Sequence, residues 1–162
     1  MEKVKIQKAT KEDFPYIQEK IKNYILDGRD ISWEQFFVAK NGGKTVAFGR
    51  LRNHGDYFEI ASVGVDYYHR KKGFGFKMIS FLTEEAKKLN RQKPLYAVSH
   101  IPDFFKKAGF KEVTSAPSAL EDKIKTMCKH NQENSRVLKL EPAHVIARSD
   151  RRERRGNLKN LA

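Results

Sequence analysis

Between Tyr57 and Leu89 the apolar period of the chain changes from two residues to 3.6, across a loop carrying two glycines and three cations. No other stretch constrains the fold as tightly. Tyr57 to Val65 alternates and reads as a strand. Gly75, Met78, Ile79, Leu82, Ala86 and Leu89 then fall on one face of a helix. The segment Val63 to Lys77 therefore runs strand, loop, helix. Backbone N–H groups at a helix start lack internal partners, and the helix dipole favours an anion there. Gly73 and Gly75 permit close approach of a ligand to the backbone. A Gly-x-Gly pair by itself more often marks a tight turn. Lys71 and Lys72 read either as phosphate partners or as solvated loop charges. Arg70 reads either as a ligand contact or as a brace of the loop.

The flanking pattern supplies the architecture. Val4 and Ile6 alternate with charged residues in a short strand. Thr10 and Asp13 offer a helix cap, and Phe14, Ile17, Ile21, Tyr24 and Ile25 recur at helical spacing. Gly28 ends that helix or follows it. Phe36 to Lys40, Thr45 to Arg52 and Tyr57 to Val65 form a meander, joined at Asn41-Gly42-Gly43 and Asn53-His54-Gly55-Asp56. Leu95 to Val98 is a short apolar strand. A short helix opens at Pro102, carries Phe104 and Phe105, and closes at Gly109. Phe110 to Val113 is a strand. Ser118 and Glu121 suit a capping box for a helix with Leu120, Ile124, Met127 and Cys128 on its inner face. Val137 to Leu140 is the last strand. The order β-α-β-β-β-α-β-α-β-α-β predicts an α/β (α+β) fold with a mixed sheet of about seven strands, flanked by helices.

At 162 residues the expected organisation is one domain over 1–141 and a basic tail over 142–162. Arg148, Arg151, Arg152, Arg154 and Arg155 crowd that tail, which reads as disordered or partly helical. A single cysteine, Cys128, rules out a disulfide within the chain. The start of the chain lacks the apolar core of a signal peptide, and no apolar run suits a membrane span. A cytoplasmic protein without membrane contact is expected. The net charge of +13 favours polyanionic partners. Nucleic acid or the ribosome, reached through Arg148–Arg155, is one such partner, and a basic binding module is the alternative function.

Other phosphate loops are excluded. A P-loop would need Gly-x-x-x-x-Gly-Lys-Ser/Thr, and a dinucleotide fingerprint needs a third glycine where Lys77 and Met78 stand. What remains is Arg70-x-x-Gly73-x-Gly75 between a strand and a helix. It resembles the pyrophosphate signature of the GNAT superfamily of acetyl-CoA-dependent N-acetyltransferases. Val63-x-Val65-Asp66 resembles that family's preceding stretch. Phe104-Phe105-Lys106-Lys107-Ala108-Gly109-Phe110 resembles a second family element. The similarity runs from Lys3 to Leu140, and Ser115 to Asn134 is further similar to glutamate N-acetyltransferase-like members. That subgroup often has Cys-x-x-Cys here; Cys128 stands alone, so no metal site follows.

The resemblance implies acetyl-CoA as co-substrate, lying in a wedge between two splayed parallel strands, Tyr57–Val65 and Leu95–Val98. It implies main-chain contacts from Val63, Gly64 and Val65 to the pantetheine arm. It implies a pyrophosphate cradle from Arg70, Lys71, Lys72, Gly73, Phe74, Gly75 and Phe76, with Lys77 beside it. The acceptor would be an amine, on a small molecule or on a protein N-terminus or lysine, met by the first helix, Gly28 to Trp33 and Ser115–Arg136. Homodimers are common in the family. Direct attack on the thioester requires a neutral amine, which costs ~4.6 kcal/mol for a lysine at pH 7 and ~1 kcal/mol for an α-amine. Glu59 is the first candidate base. Under strict alternation it shares a face with Ala61, Val63 and Val65, unless a bulge re-aims them. The family often places an acid tyrosine where Phe105 stands. Ser99 and His100, at the end of Leu95–Val98, are the alternative acids in its stead, with His100 reading first as a helix cap.

Overall fold

The computed structural model describes residues 4–127 and 132–141. Cys128 and the basic tail lie outside them. The elements are β1 (Val4–Lys8), α1 (Phe14–Asn23), β2 (Phe36–Asn41), β3 (Lys44–Asn53), β4 (Phe58–Val65), α2 (Phe74–Leu89), β5 (Leu95–Ser99), α3 (Pro102–Lys106), β6 (Lys111–Glu112), α4 (Ser118–Met127) and β7 (Arg136–Leu140). They follow the order expected from the sequence. One seven-stranded sheet runs β1-β2-β3-β4-β5-β7-β6. Its neighbours are antiparallel except β4 and β5, which are parallel.

Helices cover both faces. On one, Met78, Ile79, Leu82 and Ala86 of α2 pack against Phe37, Ala47, Leu51, Phe58, Ile60 and Ala97. On the other, Ile17 and Ile21 of α1 pack against Phe36, Val38 and Phe48, and Leu120 of α4 against Tyr96 and Val137. Fully burying a leucine such as Leu82 contributes ~1.5–3 kcal/mol. The close fit of α2 to the sheet leaves no space at Gly49, where a Cβ would stand 2.7 Å from Leu82 Cδ1 and 2.8 Å from Met78 Cγ.

The register of β3 on β4 shifts once. Phe48 pairs with Gly64 and Arg50 with Ala61, so Gly49 faces both Ser62 and Val63. Ser62 has φ +50°. This β-bulge inserts one residue and switches which side chains point where. Before it, Phe58 and Ile60 face α2; after it, Val63 and Val65 do. Glu59 therefore lies on the opposite face from Val63 and Val65, not on theirs as strict alternation expects.

Two apolar expectations fail at helix ends. Leu89, the last residue of α2, is exposed, and Ile25 lies beyond α1 at φ +54°, also exposed. At α4, Glu121 Oε1 accepts from Ala116 N–H (3.3 Å), a bond to the preceding turn in place of the expected box with Ser118. The Thr10 N–H does donate to Asp13 Oδ2 (2.8 Å), closing a 3₁₀ turn that leads into α1.

Candidate active site

The loop between β4 and α2 is shaped by two left-handed residues, Lys71 at φ +65° and Gly73 at φ +86°. Gly73 is the N-cap of α2 and has no side chain to close the helix end. The first turn holds no acidic residue. The N–H of Lys77 donates to Gly73 O (3.0 Å), the first such bond of the helix. The N–H groups of Phe74, Gly75 and Phe76 precede it and are open to an anion. Space beside Gly73 is clear to 4 Å. Gly75 serves packing instead, since a Cβ there would stand 3.0 Å from Phe104 Cζ of α3. Lys71 and Lys72 are exposed. Arg70 takes the bracing position. Its Nε donates to Val65 O (3.1 Å), and its guanidinium lies 4.6 Å from the Tyr24 ring centre and 5.6 Å from that of Tyr67. The preceding turn is held by His69 Nδ1 and Asp66 Oδ2 at 3.0 Å.

Next to that loop the sheet opens. β4 and β5 pair only through Phe58–Leu95, Glu59–Tyr96 and Ile60–Ala97. From Ala61 to Val65 the outer edge of β4 has no strand beside it among the described residues, while Val98 and Ser99 continue along β7. An extended ligand can add to such an edge. The open helix end, the unpaired strand edge and the clear space at Gly73 fit a diphosphate carrying an extended amide arm.

On the opposite face, beneath α4, lies a cavity of about 220 Å³ lined by Arg29, Asp30, Arg52, His54, Glu59 and Lys123, with Ala119 and Leu120 as its apolar wall. Glu59 is 1% exposed. Its Oε1 meets His54 Nε2 at 2.9 Å and its Oε2 meets Lys123 Nζ at 2.5 Å. Lys123 Nζ also stands 3.1 Å from Asp27 Oδ2. Asp27 accepts from Arg29 through Nε (3.0 Å) and Nη2 (3.1 Å). Burial alone would raise the Asp27 carboxyl; the Arg29 bonds and the Lys123 charge outweigh it and hold the group well below the usual carboxylate range. Arg52 Nη1 reaches Asp27 Oδ2 only at 3.7 Å and has no closer anion among the described residues.

The loop that delivers Asp27 is pinned to the sheet. Ser62 Oγ, at the bulge, donates to Asp27 O (2.5 Å). Arg50 is completely buried; it donates to Gln35 Oε1 (2.9 Å), Arg29 O (2.8 Å) and Asp30 O (3.0 Å). Burial pushes the Arg50 guanidinium down to about 10.

The family model described as "Acetyltransferase (GNAT) domain" matches residues 32–112, half of the chain. The chain belongs to the GNAT family. No curated protein sequence matches it. Its fold is similar to that of N-acetylglutamate synthase from Neisseria gonorrhoeae, solved with coenzyme A and L-arginine (TM-score 0.69, 20% identity, 86% of this chain and 33% of that one). The same enzyme with coenzyme A and N-acetyl-glutamate gives a TM-score of 0.68 at 18% identity, over 86% of this chain and 35% of that one. Rv2747 from Mycobacterium tuberculosis, solved with CoA, gives 0.68 at 22% identity, covering 84% and 98%. An Escherichia coli ribosomal-protein alanine N-acetyltransferase gives 0.54 at 19% identity, covering 69% and 80%. These likenesses establish the GNAT fold, and the chain spans about a third of the N-acetylglutamate synthase chain. Among the described residues no helix is long and apolar enough to cross a membrane.

Within this GNAT domain the sequence-predicted residues separate into two groups. Val63, Gly64, Val65 and Arg70 to Phe76 are brought together at the strand edge and helix start. Glu59 lies across the sheet in the polar cavity. Ser99 lies two residues past Ala97, the last residue of β5 that pairs with β4, and still pairs with Arg136 of β7. Its Oγ accepts from Ile101 N–H (3.0 Å), while α3, with Ile101 as its N-cap, starts without a side-chain cap from His100. Phe105 is buried among Phe104 and Phe110 and has no proton to give. Sequence reasoning did not find Asp27, Arg52, His54 or Lys123. The one available signal was Lys123 at the inward spacing of Leu120 on α4, where a lysine is out of place unless paired.

Proposed function

We propose that this GNAT protein transfers an acetyl group from acetyl-CoA to the primary amine of a small, carboxylate-bearing acceptor by direct attack. One observation carries the reading: the parting of β4 and β5 lies between an anion-ready helix start on one side and a cavity holding a buried carboxylate on the other. Acetyl-CoA supplies the acetyl group as an activated thioester. The N–H groups of Phe74, Gly75 and Phe76 hold its diphosphate, with Lys71 and Lys72 adding charge, while the free edge of Val63 to Val65 takes the extended arm. Glu59 receives the amine proton, directly or through water. Ser99, where β5 leaves β4, donates to the leaving thiolate.

The size of the cavity favours a small amine over a folded polypeptide. Of the two guanidiniums that line the cavity, Arg52 is engaged less closely by Asp27 than Arg29 is, and it suits an acceptor carboxylate. The binding of N-acetyl-glutamate by a relative in fold supports the same class. Thermal unfolding with acetyl-CoA tests the cofactor half. At ~100 times its Kd the ligand is expected to stabilise by ~2.7 kcal/mol; no shift at millimolar concentration removes the proposal. A panel of amino acids and simple amines, assayed for CoA release, tests the acceptor half.

A further inference from the structure

The cavity already holds an ammonium. Lys123 Nζ bridges Asp27 and Glu59, and all three residues are buried. Buried carboxylates are strongly destabilising without a partner, so two that meet at one point require a cation between them. An acceptor amine arrives at neutral pH as an ammonium too, the same group that ends the lysine stem. Lys123 is carried by α4, whose other buried residue is Leu120, so the cation reaches in from the helix that roofs the cavity. Of the two Glu59 oxygens, His54 engages Oε1 and Lys123 engages Oε2. The proton acceptor assigned to the reaction is thus in use within the protein.

Resting on the acetyl-transfer reading above, we propose that the Asp27–Glu59 pair is the ammonium subsite for the acceptor, that Lys123 occupies it in the empty protein, and that the acceptor binds by displacing Lys123. The exchange replaces one ammonium by another, so neither carboxylate is left unpaired. The incoming amine then sits on Glu59, which takes its proton. The nitrogen lone pair then forms the new C–N bond, the thioester C–S bond breaks, and the second proton lost from the nitrogen passes to the CoA thiolate by way of Ser99, which gives its own proton and regains that one. The subsite selects primary alkylammonium groups and rejects quaternary ones, which have no N–H to give.

The test uses Lys123→Ala, which opens the subsite, and n-butylammonium, which reproduces the missing stem. CoA release and N-butylacetamide are measured at saturating acetyl-CoA, with sodium and tetramethylammonium chloride as controls. Lys123→Ala is expected to lower the KM for n-butylamine about tenfold relative to the wild type, and Glu59→Gln in the same background to abolish turnover. Rescue of thermal stability by n-butylammonium with an unchanged KM marks Lys123 as merely structural and overturns the proposal. Loss of the acetyl-CoA thermal shift in the wild type itself overturns the acetyl-transfer reading instead. Should Lys123→Ala fail to fold, the wild type labelled with ¹⁵N-lysine serves. Its buried Lys123 ammonium signal, assigned with Lys123→Arg, is expected to vanish into exchange with water on adding excess n-butylammonium, and its persistence overturns the displacement.

Discussion

The two halves of the candidate site are built in opposite ways. The cofactor half comes from one continuous stretch, Val63 to Phe76, and relies on backbone groups exposed by helix and strand ends. The acceptor half gathers Asp27, Arg52, His54, Glu59 and Lys123 from the loop after α1, from β3, the turn beyond it, β4 and α4, and relies on buried side-chain charge. A backbone cradle tolerates many side chains and fails only when its shape is filled. A buried ion cluster fails when any one charge is removed. Substitutions should therefore separate binding of the cofactor from turnover.

The largest expected effect is on the cradle. Gly75→Arg drives a side chain into Phe104 and Val65 and so displaces the first turn of α2 that carries the open N–H groups; it should eliminate the acetyl-CoA thermal shift, with circular dichroism confirming the fold. A folded variant that keeps the shift would move the cofactor elsewhere. Glu59→Gln should reduce the rate of CoA release by about 10²–10⁴-fold while leaving the acetyl-CoA shift in place. Equal loss of both would erase the division between the halves. Arg52→Ala should raise the KM of carboxylate-bearing acceptors about tenfold, ~1.4 kcal/mol, and leave uncharged amines unaffected; an equal rise for both would deny the carboxylate contact.

The smallest effect is on acid stability. The Asp27 carboxyl is held below its unfolded value, so its contribution is complete above about pH 3.9 and is lost as the pH falls further. Denaturant midpoints measured from neutral to acid pH should fall steeply at the acid end for the wild type. For Asp27→Asn they should start lower and fall less. A parallel pair of curves would show that Asp27 is not ion-paired in solution.

The same contrast explains what could be read from the chain. The order of elements, the sheet and the loop from Arg70 to Gly75 follow from local periodicity and glycine placement, which need no knowledge of distant contacts. Glu59 was legible as a polar residue in an apolar strand. Its partners were not, because Asp27 and Arg52 look like ordinary surface charges, and Lys123, though at the inward spacing of Leu120, shows no partner until the meander and α4 come together. Arg70 shows the limit from the other side. Its spacing to Gly73 fits the family signature, yet its Nε donates to Val65 O, a tertiary contact that spacing does not reveal.

The extra residue at Ser62 has a consequence for traffic through the molecule. Without it, the proton-accepting carboxylate and the valines beside the cofactor arm would crowd onto one surface, and both substrates would compete for a single entrance. With it, the sheet becomes a partition with a slot, and on the proposed reading each substrate would approach, and each product leave, from its own side.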